Sequence, residues 1–182
     1  MRRSLLLALM LLVASPSFAA TVADVTMPDS MQVNGKNLVL NGMGLRRKIV
    51  KVYVAGLYLP AKETSAEKIL SSDTERNVTM QFVRDVEKAS ICNAWHEGLK
   101  NNTPSKASAL KGDFDTLCNY MADMKVGNKM SFTYVPGQGT TVAIDGANKG
   151  TIAGKDFADA MFGCWIGPNP PGADFKKGLL GG

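Results

Sequence analysis

Arg46 carries the sharpest chemical clue in this sequence. It closes the run Asn41-Gly42-Met43-Gly44-Leu45-Arg46 and stands just ahead of Ile49 to Leu59, the longest apolar β-type run outside the N-terminal leader. A guanidinium is a permanent cation with a fixed fork of donors, so in a partly desolvated cleft it favours the anionic form of a bound oxygen. Tyr53, inside the apolar run, adds a phenol that can donate a second hydrogen bond. The bland alternative for Arg46 is a structural ion pair, with Asp85 or Asp156 as partner.

The other chemistry-bearing residues exclude more than they suggest. His96 is the only histidine and no close Cys/His cluster accompanies it, so no metal centre is expected. With Glu97 it falls on a polar helix face and reads as solvated rather than catalytic. No phosphate-cradling glycine loop, G-x-S-x-G elbow or C-x-x-C pair is present, so neither a cofactor nor a usual hydrolase template is expected. Cys92, Cys118 and Cys164 make an odd count that leaves at least one unpaired. All three lie on or beside apolar stripes of helical spacing, so the favoured reading is three small buried hydrophobes, with a Cys92 to Cys118 bridge as its rival. Asn77-Val78-Thr79 and Asn101-Asn102-Thr103 match the glycosylation triplet, which is too common to carry weight. Lysines and arginines are dispersed, with Arg46-Arg47-Lys48 the densest group, which argues for a solvated surface and against nucleic-acid binding.

At the N-terminus, Met1-Arg2-Arg3, the apolar run Leu5 to Ala14 and the small residues Ser15 to Ala20 form a secretory leader. Ser17 and Ala19 fit the small-x-small rule, so the expected cut follows Ala19, with Ala20 as the neighbouring alternative, leaving residues 20–182 as one mature domain. The leader's apolar run falls short of the roughly 20 residues that span a bilayer, and no other segment is long enough. An exported protein is expected, in the periplasm or secreted, with no transmembrane segment in its mature chain. The leader holds two of the basic residues and no acid, so the formal net charge of +5 overstates a mildly basic mature protein.

The elements that must position Arg46 follow from periodicity. Val22 to Met27 and Met31 to Leu40 read as short strands punctuated by Pro28-Asp29 and by the hairpin signal Asn34-Gly35. Gly42 and Gly44 are expected to turn the backbone before the strand Ile49 to Leu59, whose apolar residues occupy both alternation phases and require cover on both faces. A short helix over Ser65 to Ser71 and a strand over Asn77 to Arg84 come next. Helices follow over Val86 to Leu99 and Lys106 to Met124, where Ile91, Trp95 and Leu99, then Leu110, Phe114, Leu117 and Met121, form apolar stripes. Strands at Lys129 to Val135, Thr140 to Ile144 and Lys149 to Ile152 make a meander. A helix from Lys155 carries Phe157, Ala160, Met161 and Cys164, is broken by Gly167-Pro168-Asn169-Pro170-Pro171, and precedes a last short helix over Ala173 to Leu180. This order is α+β, with an antiparallel-rich sheet under a helical layer.

Two motifs sharpen that reading. Leu40-Asn41-Gly42-Met43-Gly44-Leu45-Arg46 followed by Lys51-Val52-Tyr53-Val54-Ala55-Gly56-Leu57-Tyr58-Leu59 resembles the core signature of the chalcone isomerase family, closest to its exported bacterial branch. The similarity extends through Phe82-Val83-Arg84-Asp85-Val86 and Phe157-Ala158-Asp159-Ala160-Met161-Phe162-Gly163-Cys164-Trp165-Ile166-Gly167. The resemblance implies an open-faced β-sandwich, a large antiparallel sheet covered by helices, with an apolar cleft between them. It also implies that Arg46 matches the arginine that contacts the phenoxide of a chalcone as it closes to a flavanone, which makes Arg46 and Tyr53 the candidate catalytic residues. The polar network which that cyclisation uses is replaced, however, with Tyr53, Val83, Ser90 and Cys164 at its positions. Non-catalytic, fatty-acid-binding relatives exist in the superfamily. The expected ligand is therefore a small anionic lipophile such as a fatty acid, in a cleft bounded by Arg46, Tyr53, Phe82, Val83, Ser90 and Cys164. An intramolecular lyase acting on a chalcone-like phenolic is the alternative.

Overall fold

Alternating apolar residues build a meander of seven strands, each hydrogen-bonded to the next, preceded by a separate two-stranded hairpin. The structure, a computed structural model, describes residues 19–182, so nearly all of the expected leader lies outside the described residues. β1 (Ala20–Val22) and β2 (Val25–Met27) form a small hairpin where one strand was expected, because Ala23 and Asp24 adopt positive φ and turn the chain tightly. β3 (Ser30–Val33) and β4 (Lys36–Arg47) meet at Asn34-Gly35, with φ of 48° and 75°, the backbone of a type I′ turn. β5 (Lys51–Leu59), β6 (Arg76–Phe82), β7 (Lys129–Val135), β8 (Gly139–Ile144) and β9 (Ala147–Ile152) continue the sheet. Seven strands, β3 to β9, lie side by side in sequence order and are antiparallel throughout.

Helices cover one face. They are α1 (Ala66–Ser71), capped by the Ser65 hydroxyl, α2 (Lys88–Asn102), α3 (Lys111–Tyr120), α4 (Lys155–Ile166) and α5 (Ala173–Leu179). On this face Ala55, Leu57 and Leu59 of β5 and Val78, Met80 and Phe82 of β6 join the apolar stripes of α2 to α5 in the main core. α4 is buried along nearly its whole length, as its apolar sequence demands. The opposite face holds a second, smaller core, in which Leu38, Leu40, Val54 and Tyr58 pack under Val25 and Met27. β5 is thus covered on both faces, as its two apolar phases require. This is the α+β sandwich that the element order implies.

Three expectations need correction. Ile49 and Val50 lie outside β5, at 96% and 47% exposure on the turn between β4 and β5, because pairing with β4 begins only at Lys51. The helix expected over Lys106 to Met124 is divided into a 3₁₀ turn at Pro104–Lys106 and the shorter α3. Beyond α3 the chain is extended, and Met124 forms a β-bridge with Val86, which holds Val86 out of α2.

Candidate functional site

Gly42 and Gly44 do not bend the chain, because both lie within β4 and pair with Leu57 and Ala55. Their role is close approach. A Cβ on Gly42 would overlap the carbonyl oxygen of Gly178, and one on Gly44 would overlap that of Phe175. Gly178 in turn has no room for a Cβ over Met43. Backbone therefore meets backbone, and α5 lies directly on β4. Asn41 fastens the contact from a fully buried position. Its amide donates to the carbonyls of Leu179 and Glu63, each at 2.9 Å, and its Oδ1 accepts from the Glu63 N–H at 2.8 Å.

That docking places Phe175 over Tyr53. The rings are 5.7 Å apart and edge-on, and Phe82 flanks Tyr53 from the next strand, also at 5.7 Å. Arg46 is the cross-strand partner of Tyr53. The Arg46 Nη1 donates to the Pro171 carbonyl at 2.5 Å and to the Arg47 carbonyl at 2.7 Å. Both acceptors are neutral. The carboxylates expected as alternatives are engaged elsewhere, Asp85 with Lys125 at 2.9 Å and Asp156 with Lys106 at 2.8 Å. Among the described residues no carboxylate pairs with Arg46, so a half-buried cation stands uncompensated beside an aromatic cluster.

Burial pushes the Tyr53 phenol up to about 12, with a hydrogen bond from Trp165 and the Arg46 charge pulling part of the way back. The phenol is thus a neutral donor at physiological pH. Cys164 is buried, donates to the Ala160 carbonyl at 3.4 Å and packs against Gly98; burial raises its thiol to about 12, so it too is neutral. Arg46, Tyr53, Phe82 and Cys164 thus share the helical side of the sheet.

Val83 and Ser90 do not join them. Strand alternation sends Phe82 towards the helices and Val83 into the core on the opposite face, where its N–H donates to Val52 at 3.0 Å. Ser90 is exposed, because the buried stripe of α2 runs through Ile91, Trp95 and Leu99. Phe175, Trp165, Pro171 and Asn41 are the site residues that sequence reasoning missed. Trp165 stands inside the quoted α4 motif, so its signal was present; Phe175 sits in a seven-residue helix whose contact depends on distant glycines. The cavity of about 180 Å³ bounded by Met27, Met31, Tyr58 and Thr79 is on the other face of the sheet and does not include Arg46.

The model of the family described as chalcone isomerase-like matches residues 19–181. Among solved structures, a fatty-acid binding protein of Arabidopsis thaliana aligns with a TM-score of 0.73 and 19% sequence identity, over 90% of this chain and 96% of that one. At that identity the likeness is one of fold. No curated protein matches the chain.

Proposed function

The chain belongs to the chalcone isomerase-like family, and within it we propose a non-catalytic binder of an anionic lipophile such as a fatty acid. The carboxylate is held at Arg46, and the hydrocarbon lies between the sheet and the helical layer. One observation carries this reading: the guanidinium paired across the strands with Tyr53, itself packed on Phe175 and Trp165, has main-chain carbonyls as acceptors and, among the described residues, no carboxylate. A ligand carboxylate taking the place of the Pro171 carbonyl would convert a bond from a cation to a neutral acceptor into an ion pair that can be bidentate. The neutral Tyr53 phenol can donate to the same anion. Pro171 lies in the loop that leads into α5, so the element displaced is the one that covers the aromatic cluster.

Two further points support the reading. The structural neighbour is named as a fatty-acid binding protein. Of the four positions where the cyclisation network is expected, Val83 turns to the other face and Ser90 to solvent, which weakens the isomerase alternative. The leader-like N-terminus adds that the protein works after export, with the periplasm as its compartment.

Native mass spectrometry of protein refolded without lipid and then offered fatty acids tests the binding. Wild type is expected to retain one ligand, and Arg46→Ala to bind about 10- to 100-fold more weakly, the loss of one charge-assisted hydrogen bond. Equal retention by both proteins removes Arg46 as the anchor, and no retention by either removes the binding function. Loss of chalcone absorbance faster than in buffer would instead favour the isomerase.

A further inference from the structure

Cys92 on α2 and Cys118 on α3 lie against one another across the contact between the two helices. The Cys92 thiol donates to the main-chain oxygen of Cys118 at 3.7 Å, and the Cys118 sulfur lies 3.7 Å from His96 Nε2. Both thiols are free and only partly buried, and Cys92 also lines a surface cleft with Glu87, Lys88, Ala89 and Asp123. Cys164 is set apart on α4, with its sulfur against Gly98 and the Ala160 carbonyl. Two of the three cysteines are therefore neighbours, and one of them is reachable from solvent.

We propose that Cys92 and Cys118 are the chain's disulfide-forming pair, closed by exchange with a disulfide oxidant and leaving Cys164 as a buried thiol. The Cys92 thiolate, reached through the cleft, attacks one sulfur of the oxidant; that S–S bond breaks and its first thiolate leaves. The Cys118 thiol then loses its proton and attacks the Cys92 sulfur in the mixed disulfide, releasing the second thiolate. Two protein thiols are oxidised by two electrons, the oxidant is reduced to two thiols, and the two protons given up by the cysteines are taken by the leaving thiolates.

The bond would tie α2 to α3, two of the helices that cover the sheet, and would enclose the 3₁₀ turn at Pro104–Lys106. Cys92 lines the surface cleft and Cys118 does not, so Cys92 is the thiol placed to meet the oxidant first; burial and the adjoining Cys92 thiol hold the Cys118 thiol up at about 12. This pairing is independent of what occupies the Arg46 site.

The full chain treated with oxidised glutathione and digested without reduction provides the test. A Cys92–Cys118 peptide pair should appear by mass spectrometry, and one thiol, that of Cys164, should remain reactive after denaturation. The oxidised protein should melt roughly 5–10 °C above the reduced one, and Cys92→Ser should abolish that difference while Cys164→Ser leaves it intact. Three reactive thiols after treatment would overturn the pairing, as would a glutathione adduct that persists on Cys92 without closure, or any linkage to Cys164.

Discussion

Arg46 and Arg76 face the same helical layer from different strands, and the charge around them differs. Arg76 is fully buried, paired with Asp159, bonded to the Ile69 carbonyl at 2.8 Å and flanked by the rings of Tyr134 and Phe162 at 4.9 and 4.8 Å. Its charge is met by a carboxylate within the protein. Among the described residues Arg46 has only carbonyls as partners. Removing the carboxylate from Arg76 leaves a buried, uncompensated cation, so Asp159→Ala should lower unfolding stability by about 3 kcal/mol, the low end for broken buried pairs since Asp159 is partly exposed. Arg46→Ala should cost about 1–2 kcal/mol, because two hydrogen bonds, one exposed and one part-buried, are lost and no charge is stranded. Urea denaturation of both variants compares them directly. A loss from Arg46→Ala as large as that from Asp159→Ala would make Arg46 a structural residue.

At the scale of elements, β4 and α5 are joined where neither carries a side chain. Adding a methyl group to Gly42 forces it into the Gly178 carbonyl and the α5 backbone, which cannot yield as a flexible side chain would. Gly42→Ala is therefore expected to destabilise the protein by about 2 kcal/mol or more and to raise amide exchange in α5 selectively; uniform exchange across α5 and β6 would contradict local undocking. This contact also marks the limit of sequence reading. The strands β5 to β8, the α2 and α4 stripes and the Asn34-Gly35 hairpin announce themselves through local periodicity and turn chemistry. The purpose of Gly42 and Gly44 does not, since a glycine that permits a close contact more than 130 residues away looks identical to one that permits a bend. For the same reason Arg46, Tyr53 and Phe82, which fall on the successive strands β4, β5 and β6, were readable as neighbours. Phe175 and Pro171 were invisible, and Ser90 was misplaced by a fraction of a helical turn.

Across the whole molecule, three of the four tyrosines each hold a different layer. Tyr58 fastens the outer hairpin side through the Pro28 carbonyl at 2.9 Å, Tyr53 sits beneath α5, and Tyr134 reaches Asp73 at 2.6 Å beside α1. Burial raises all three phenols from 10 to about 12, reinforced at Tyr58 by the charge of Asp29 and at Tyr134 by the hydrogen bond to Asp73. The buried Cys164 thiol moves the same way, from 9 to about 12. Each group is more strongly protonated folded than unfolded, so its contribution is complete below the unfolded value and is lost as pH rises through the folded one. The native state should therefore lose stability between about pH 9 and 12, with all three layers failing together because their titrations overlap. Urea midpoints measured at intervals across that range, alongside tyrosinate absorbance, follow both events. Ionisation of these tyrosines is expected to track unfolding. A simple titration of Tyr53, Tyr58 and Tyr134 near pH 10 in a protein that stays folded would show that these phenols are not held by the layers they join.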